Sequence, residues 1–274
     1  MQDRTFLVTG ATGKTGSLVA DGLEARGVAV RRVTRSSEIP FDWTDRATWQ
    51  GALTGIHAAY ITYQPDLAVP GSVEDIRAFS ALAVKLGVKR LVLLSGRGEE
   101  EAIAAEEALK EAGADWAILS ASWFHQNFSE GFFTDMLKGG ELVLPAGDVR
   151  ERFVDTRDIA EMAVKALTEE GHAGRKYEIT GPRLMTFAEA TADVAREAGR
   201  DIRYTRVNVA DYAQMLKAEG VPDDFVWLVT YLFTSVLDGR NESLSGDVET
   251  VLGRPPRDFA DFAREAATTG IWEA

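Results

Sequence analysis

The sequence predicts an α/β protein built on a doubly wound parallel sheet, with a smaller C-terminal α/β lobe. Three observations carry the expectation. An apolar run near the N-terminus ends in a glycine turn and passes straight into a helical pattern; short apolar runs then alternate with helical spacing as far as Ser120; and beyond that point the rhythm loosens without any repeat or low-complexity stretch.

The first run, Phe6-Leu7-Val8, feeds Thr9-Gly10-Ala11-Thr12-Gly13-Lys14-Thr15-Gly16. In a strand, turn and helix of this kind the first glycine allows a tight turn, the second lets the backbone approach a pyrophosphate, and the third lets the helix pack on the strand. Those places fall to Gly10, Gly13 and Gly16. The phosphate rests on the helix N-terminus, where unpaired N–H groups and the dipole favour an anion. The substring Gly13-Lys14-Thr15 also brings to mind a P-loop, but that motif needs a glycine where this chain has Val8. That argues against a nucleoside triphosphatase.

Leu18, Val19 and Leu23 continue at helical spacing, Gly27 stops the helix, and a second strand runs from Val28 to Thr34. The residue after that strand discriminates between cofactors: an acid binds the ribose 2′-hydroxyl of NAD, a base the 2′-phosphate of NADP. Here Arg35-Ser36-Ser37 follows, so Arg35 is the expected phosphate clamp, with the Ser36 hydroxyl and Lys14 assisting. A short strand at Pro40-Phe41-Asp42 brings Asp42 toward the adenine. Asp45 caps a helix through Leu53, and His57 to Ile61 form a strand whose exit loop, Thr62 to Pro65, lies at the ligand-binding carboxyl edge. Ser72 caps a helix from Val73 to Leu86. Arg90 to Leu94 is a buried parallel strand ending at Ser95-Gly96, a helix covers Glu99 to Ala112, and Asp115 to Ser120 is the next strand.

Downstream, Trp123, Phe124, His125, Gln126, Asn127 and Phe128 crowd aromatic and amide groups into one segment, which lines a pocket or simply opens a packed helix. Phe153-Val154-Asp155 leads into a helix, Lys176 to Ile179 is a strand, and Thr186 to Glu189 is a capping box opening a helix to Ala198. Arg203 to Val207 is a strand, and helices follow over Val209 to Glu219 and Asp223 to Asp238. The last of these holds the longest apolar run, about 13 residues where a membrane span needs about 20. It is a buried helix, a homodimer contact or a lid over an apolar substrate. The expected division is a dinucleotide-binding domain over 1–182, with a pocket-lining insert near 121–150, and a substrate lobe over 183–274 intertwined with it.

A net charge of -13 argues against DNA or RNA as partner, because phosphate-backbone binding relies on clustered Lys and Arg. Cysteine is absent, which removes disulfides and thiolate chemistry and suits a cytoplasmic setting. His57, His125 and His172 lie far apart with no ligand spacing, so no metal is expected. No secretion signal precedes the first strand.

Four stretches, Thr9 to Gly16, Trp123 to Phe128, Phe153 to Ala160 and Tyr177 to Pro182, together resemble the NmrA-like group of atypical short-chain dehydrogenase/reductases, and the likeness spans Thr5 to about Val209. The resemblance implies a Rossmann core that prefers NADP(H), a small C-terminal substrate lobe, and either a flavin-free reductase or a cofactor-sensing protein without chemistry. It carries the phosphate loop onto Gly10, Thr12, Gly13, Lys14 and Gly16, with Thr15 beside them, the 2′-phosphate contact onto Arg35, and a substrate-cavity asparagine onto Asn127.

The chain departs from related reductases at their Tyr-x-x-x-Lys pair, in which tyrosine donates a proton and lysine lowers its pKa. The residues four beyond Tyr60, Tyr63, Tyr177, Tyr204, Tyr212 and Tyr231 are Gln64, Leu67, Gly181, Asn208, Leu216 and Ser235. Candidates for a replacement proton donor are Ser95, Tyr63 and His125; Ser95 and Thr62 are also candidate cofactor contacts, and Trp123, Phe124, His125 and Asn127 candidate substrate contacts. A phenol on the substrate itself would serve too, which suits an aromatic or polycyclic ketone or a quinone. A hydrolase reading fares worse, because Leu93 stands where a nucleophile elbow around Ser95 needs glycine.

Overall fold

The computed structural model describes residues 4–273. The chain divides into two compact units. The first unit comprises the residues up to Ala121 together with Thr156–Ile179 and Asp247–Arg254; the second comprises Ser122–Asp155, Thr180–Gly246 and the chain from Pro255 onward. The segment 122–155 thus belongs wholly to the second unit, and a short C-terminal helix, Asp247–Leu252, returns to the first.

The first unit is a six-stranded parallel sheet of β1 (Thr5–Val8), β2 (Ala29–Arg32), β3 (Ile56–Ile61), β4 (Arg90–Gly96), β5 (Asp115–Ala121) and, after one strand of the second unit, β7 (Arg175–Ile179), in the order β2-β1-β3-β4-β5-β7. Strand order reverses between β1 and β3, and ligands of open α/β sheets bind at the carboxyl ends beside such a reversal. One face carries helices Ser72–Lys85 and Glu100–Lys110 over a core containing Leu91, Leu93, Ile118 and the ring cluster Phe41, Trp43, Trp49 and Phe79. Complete burial of such side chains contributes about 1.5–3 kcal/mol each. On the other face helix Gly16–Ala25 packs against helix Thr156–Thr168.

Two local expectations are corrected here. Helix Ser72–Lys85 starts at Ser72 rather than being capped by it: Gly71, at φ +91°, is the cap, and the Ser72 hydroxyl donates to the Leu67 carbonyl at 2.6 Å. Pro40 to Asp42 forms no strand. Pro40 has no N–H for a ladder, the Phe41 N–H goes to Thr34 O, and the Asp42 carboxylate folds back to accept from Thr44 N and Oγ1 at 2.9 and 2.8 Å. The sheet therefore begins at β2.

The second unit holds a two-stranded parallel sheet of β6 (Glu141–Leu144) and β8 (Arg203–Arg206). Around it pack helices Phe132–Lys138, Phe187–Ala198, Val209–Ala218, Asp223–Tyr231 and Phe259–Ala267. Thr186 and Glu189 form the expected capping box, with bonds of 3.0 and 2.8 Å. The expected single helix to Asp238 ends its α-helical part at Tyr231 and closes in a π-helical turn, Leu232–Val236. Strand β6 and helix Phe259–Ala267 had no clear pattern in sequence. Among the described residues no helix is long and apolar enough to cross a membrane.

Candidate active site

The glycine loop leaves β1 at the strand-order reversal, and each of its glycines answers a steric demand. Gly10 sits at φ +59°, where a Cβ would also overlap the Thr62 hydroxyl. A Cβ on Gly16 would overlap the Gly10 carbonyl oxygen and lie 2.8 Å from the carbon of that carbonyl. Gly13 donates to Gly10 O at 2.8 Å and accepts from Ser17 N and Oγ, which closes the turn onto the helix. Thr15 is buried and makes no side-chain cap, so the helix N-terminus lacks the hydroxyl partner such a residue usually supplies. Thr12 and Gly13 are exposed and Lys14 is half-buried.

Three arginines cluster around the end of β2, and their partners separate them. Arg31 donates to the carbonyls of Gly51, Ala52 and Thr54, and Arg32 is held by Glu24 and Asp21. Arg35 is exposed and makes no hydrogen bond or ion pair among the described residues. Ser36 is exposed beside it, and its N–H donates to Thr34 Oγ1 at 3.2 Å. Asp42 is half-buried; the Thr44 hydrogen bonds hold its carboxyl below the usual range. Thr62 locks β3 to β1: its N–H donates to Thr9 Oγ1 at 2.8 Å and its hydroxyl to Thr9 O at 3.2 Å.

The three candidate proton donors are each committed elsewhere. Ser95 is buried and its hydroxyl donates to Glu106 Oε1 at 2.7 Å, while Lys176 Nζ lies 2.7 Å from Glu106 Oε2. Tyr63 packs on Trp43 and donates to Asp75 Oδ2 at 2.8 Å; burial, and then that carboxylate, push its phenol further up, which makes it a weaker acid. His125 is fully buried in the second unit, with Nε2 donating to Phe153 O at 2.9 Å and the rings of Phe259 and Phe262 against it. Its buried Nδ1 lies 3.7 Å from Asp155 Oδ2.

The other candidate substrate contacts also lie in the second unit. Trp123 is half-buried against Phe187 and Phe233, at ring distances of 5.2 and 5.1 Å. Phe124 and Asn127 are half-buried, Phe124 bridging to Val154 and Asn127 sitting in a 3-10 turn, His125–Phe128. A cavity of about 510 Å³ within this unit is lined by Val149, Phe233 and Leu237 with Asp148, Arg206 and Glu242. A smaller one, about 180 Å³, lies at the amino edge of the first unit's sheet, beside Arg4, His57 and Lys89 and away from the glycine loop.

The residue that sequence reasoning missed is Glu99. It reads as an ordinary first-turn acid of a helix, but it stands outside helix Glu100–Lys110 and is buried. No signal in the sequence distinguishes it from Glu100 and Glu101.

This sheet and loop define a Rossmann-type nucleotide-binding fold. No protein-family model matches the chain. It is 31% identical over 287 residues to the (4-alkanoyl-5-oxo-2,5-dihydrofuran-3-yl)methyl phosphate reductase of Streptomyces griseus, covering 96% of this chain and 98% of that one. It is 28% identical over 286 residues to the NAD(P)H azoreductase of Xenophilus azovorans, covering 96% and 98%. Among solved structures it resembles an NADPH-dependent quinone oxidoreductase of Escherichia coli in complex with NADPH, with a TM-score of 0.77 at 22% identity over 95% and 99% of the two chains. The chain belongs to the NmrA-like group of atypical short-chain dehydrogenase/reductases, and it is an NADP(H)-dependent oxidoreductase of that group.

Proposed function

We propose that the protein transfers hydride from NADPH to an apolar carbonyl acceptor, an aromatic or polycyclic ketone or a quinone, without a Tyr-x-x-x-Lys pair. The observation that carries the cofactor side is Arg35, an exposed guanidinium with no hydrogen bond or ion pair among the described residues, just beyond β2 and next to two arginines that are both engaged. NADPH supplies the hydride when bound. The glycine loop holds its pyrophosphate on the N-terminus of helix Gly16–Ala25, and Arg35 with Ser36 holds the 2′-phosphate. Rate then comes mainly from holding donor and acceptor together. The acceptor class is supported by the aromatic surroundings of Trp123 and by relatives and structural neighbours named as reductases of azo compounds and quinones.

The test is NADPH oxidation followed at fixed protein concentration against a panel of aromatic ketones and quinones. Turnover with at least one class is expected. Tight NADPH binding without turnover of any of them would refute the acceptor class.

A further inference from the structure

The cavity at the amino edge of the first unit's sheet gathers positive charge in a chain whose net charge is -13. Four basic side chains line it: Arg4 just before β1, His57 near the start of β3, and Lys89 and Arg90 at the entrance of β4. They meet because the strands of a parallel sheet all enter at the same edge. Backbone bonds fix the spacing, since the Lys89 N–H donates to the His57 carbonyl at 2.8 Å and the Asp115 N–H to the Lys89 carbonyl at 3.0 Å. The His57 ring lies against Phe6, with centroids 5.6 Å apart.

Their partners separate these four groups. Arg90 is 8% exposed, and its guanidinium donates to the Ala166 and Glu169 carbonyls at 3.2 and 2.6 Å, where helix Thr156–Thr168 ends. The two acids that line the cavity both lie on Arg90, Glu170 at 3.4 Å and Asp115 at 3.9 Å. Arg4, His57 and Lys89 make no side-chain hydrogen bond or ion pair among the described residues. Arg4, Lys89 and Arg90 against Asp115 and Glu170 leave the lining with net positive charge, and protonation of His57 adds to it. Burial first, then Arg4, Arg90 and Lys89, hold the His57 pKa below its ordinary value, as expected where cations crowd an imidazole without a counter-charge. The cavity measures about 180 Å³. A single water needs about 10–15 Å³ of such space, so a polyatomic anion fits. An anion seated there relieves the repulsion, and Arg and Lys supply charge-assisted hydrogen bonds to its oxygens.

We propose that this cavity is a second anion site, for a small phosphate-type dianion held by Arg4, Lys89 and protonated His57, on the opposite edge of the sheet from the glycine loop. It does not depend on which acceptor the protein reduces. Because a bound dianion favours the imidazolium, affinity rises as pH falls, and by the same linkage the bound anion raises the His57 pKa.

The experiment is made with NADPH bound, so that the cofactor fills its own phosphate sites, and repeated without it. Inorganic phosphate and sulfate are titrated by calorimetry at constant ionic strength, with chloride as the monoanion control. Saturable binding of the dianions is expected in the presence of NADPH. Arg4→Gln and Lys89→Gln should each weaken it about 10-fold, as for one charge-assisted hydrogen bond. Lys85→Gln, an exposed lysine of helix Ser72–Lys85 outside the cavity, should leave it unchanged. Sulfate keeps its charge between pH 7.5 and 5.5, so its affinity should rise several-fold over that range in wild type and less in His57→Gln, in which Asp115 and Glu170 still titrate. NMR of the His57 ring should show its pKa moving up when sulfate is bound. Absence of saturable binding, binding that NADPH abolishes, wild-type affinity in both Arg4→Gln and Lys89→Gln, or a His57 that titrates alike with and without sulfate would overturn the proposal.

Discussion

Replacing Gly16 with alanine puts a methyl group into the turn that the cofactor needs. The new Cβ would overlap the Gly10 carbonyl oxygen and lie 2.8 Å from its carbon and 3.0 Å from the Thr9 oxygen. All three are backbone atoms, so no side chain can swing away. To regain ordinary carbon–carbon contact at about 3.5 Å the Gly10 carbonyl must retreat by at least about 0.7 Å, and the closer overlap with its oxygen demands more. That carbonyl also accepts from Gly13 N at 2.8 Å, so the displacement passes to the residue expected to approach the pyrophosphate. Overpacking of this kind costs about 1–3 kcal/mol of stability, and each charge-assisted hydrogen bond to phosphate that is lost costs about 1.5–3 kcal/mol of binding. The expected result is a melting temperature lower by several degrees and an NADPH affinity weaker by about 10- to 100-fold. Calorimetric titration and a thermal melt measure the two, with Gly51→Ala as control: there a Cβ meets only Ile39 Cγ2, at 3.8 Å, inside helix Trp49–Leu53. A Gly16→Ala protein that binds NADPH and melts as wild type does would refute the steric reading of the loop.

Arg35→Ala should weaken NADPH binding by about 1–3 kcal/mol and leave NADH nearly untouched, since only NADPH carries the 2′-phosphate; an unchanged ratio of the two dissociation constants would remove Arg35 from the site. For His57, burial first and then Arg4, Arg90 and Lys89 hold the folded-state pKa below its ordinary 6.5. The folded state therefore binds fewer protons than the unfolded chain just below that value, and the His57 contribution, complete above about pH 6.5, is lost as pH falls below it. Melting temperatures between pH 7.5 and 5 should accordingly drop less steeply in His57→Gln than in wild type; parallel curves would contradict this.

Sequence alone determined the parts of this protein that depend on local rules. Gly10, Gly13 and Gly16 were legible because their spacing follows from turn sterics and backbone approach, and the capping box at Thr186 and Glu189 because it is closed within four residues. Runs such as Arg90 to Leu94 declared buried parallel strands by their unbroken apolarity. Arg35 was a candidate by position, one residue past a predicted strand end, and the structure adds that Arg31 and Arg32 are both hydrogen-bonded within the chain. The tertiary structure decided everything that depends on which groups meet across long sequence separations. The second unit takes in 122–155 and leaves 247–254 to the first, which no composition shift marks. Ser95, Tyr63 and His125 looked available as single letters, but Glu106, Asp75 and the Phe153 carbonyl already hold them. Glu99 looked like any helix-opening acid until the fold laid its carboxyl over Gly96 and out of water. A carboxyl's chemistry is set by its dielectric surroundings and nearest charges, and those are fixed by the fold, whatever the residue's neighbours in sequence.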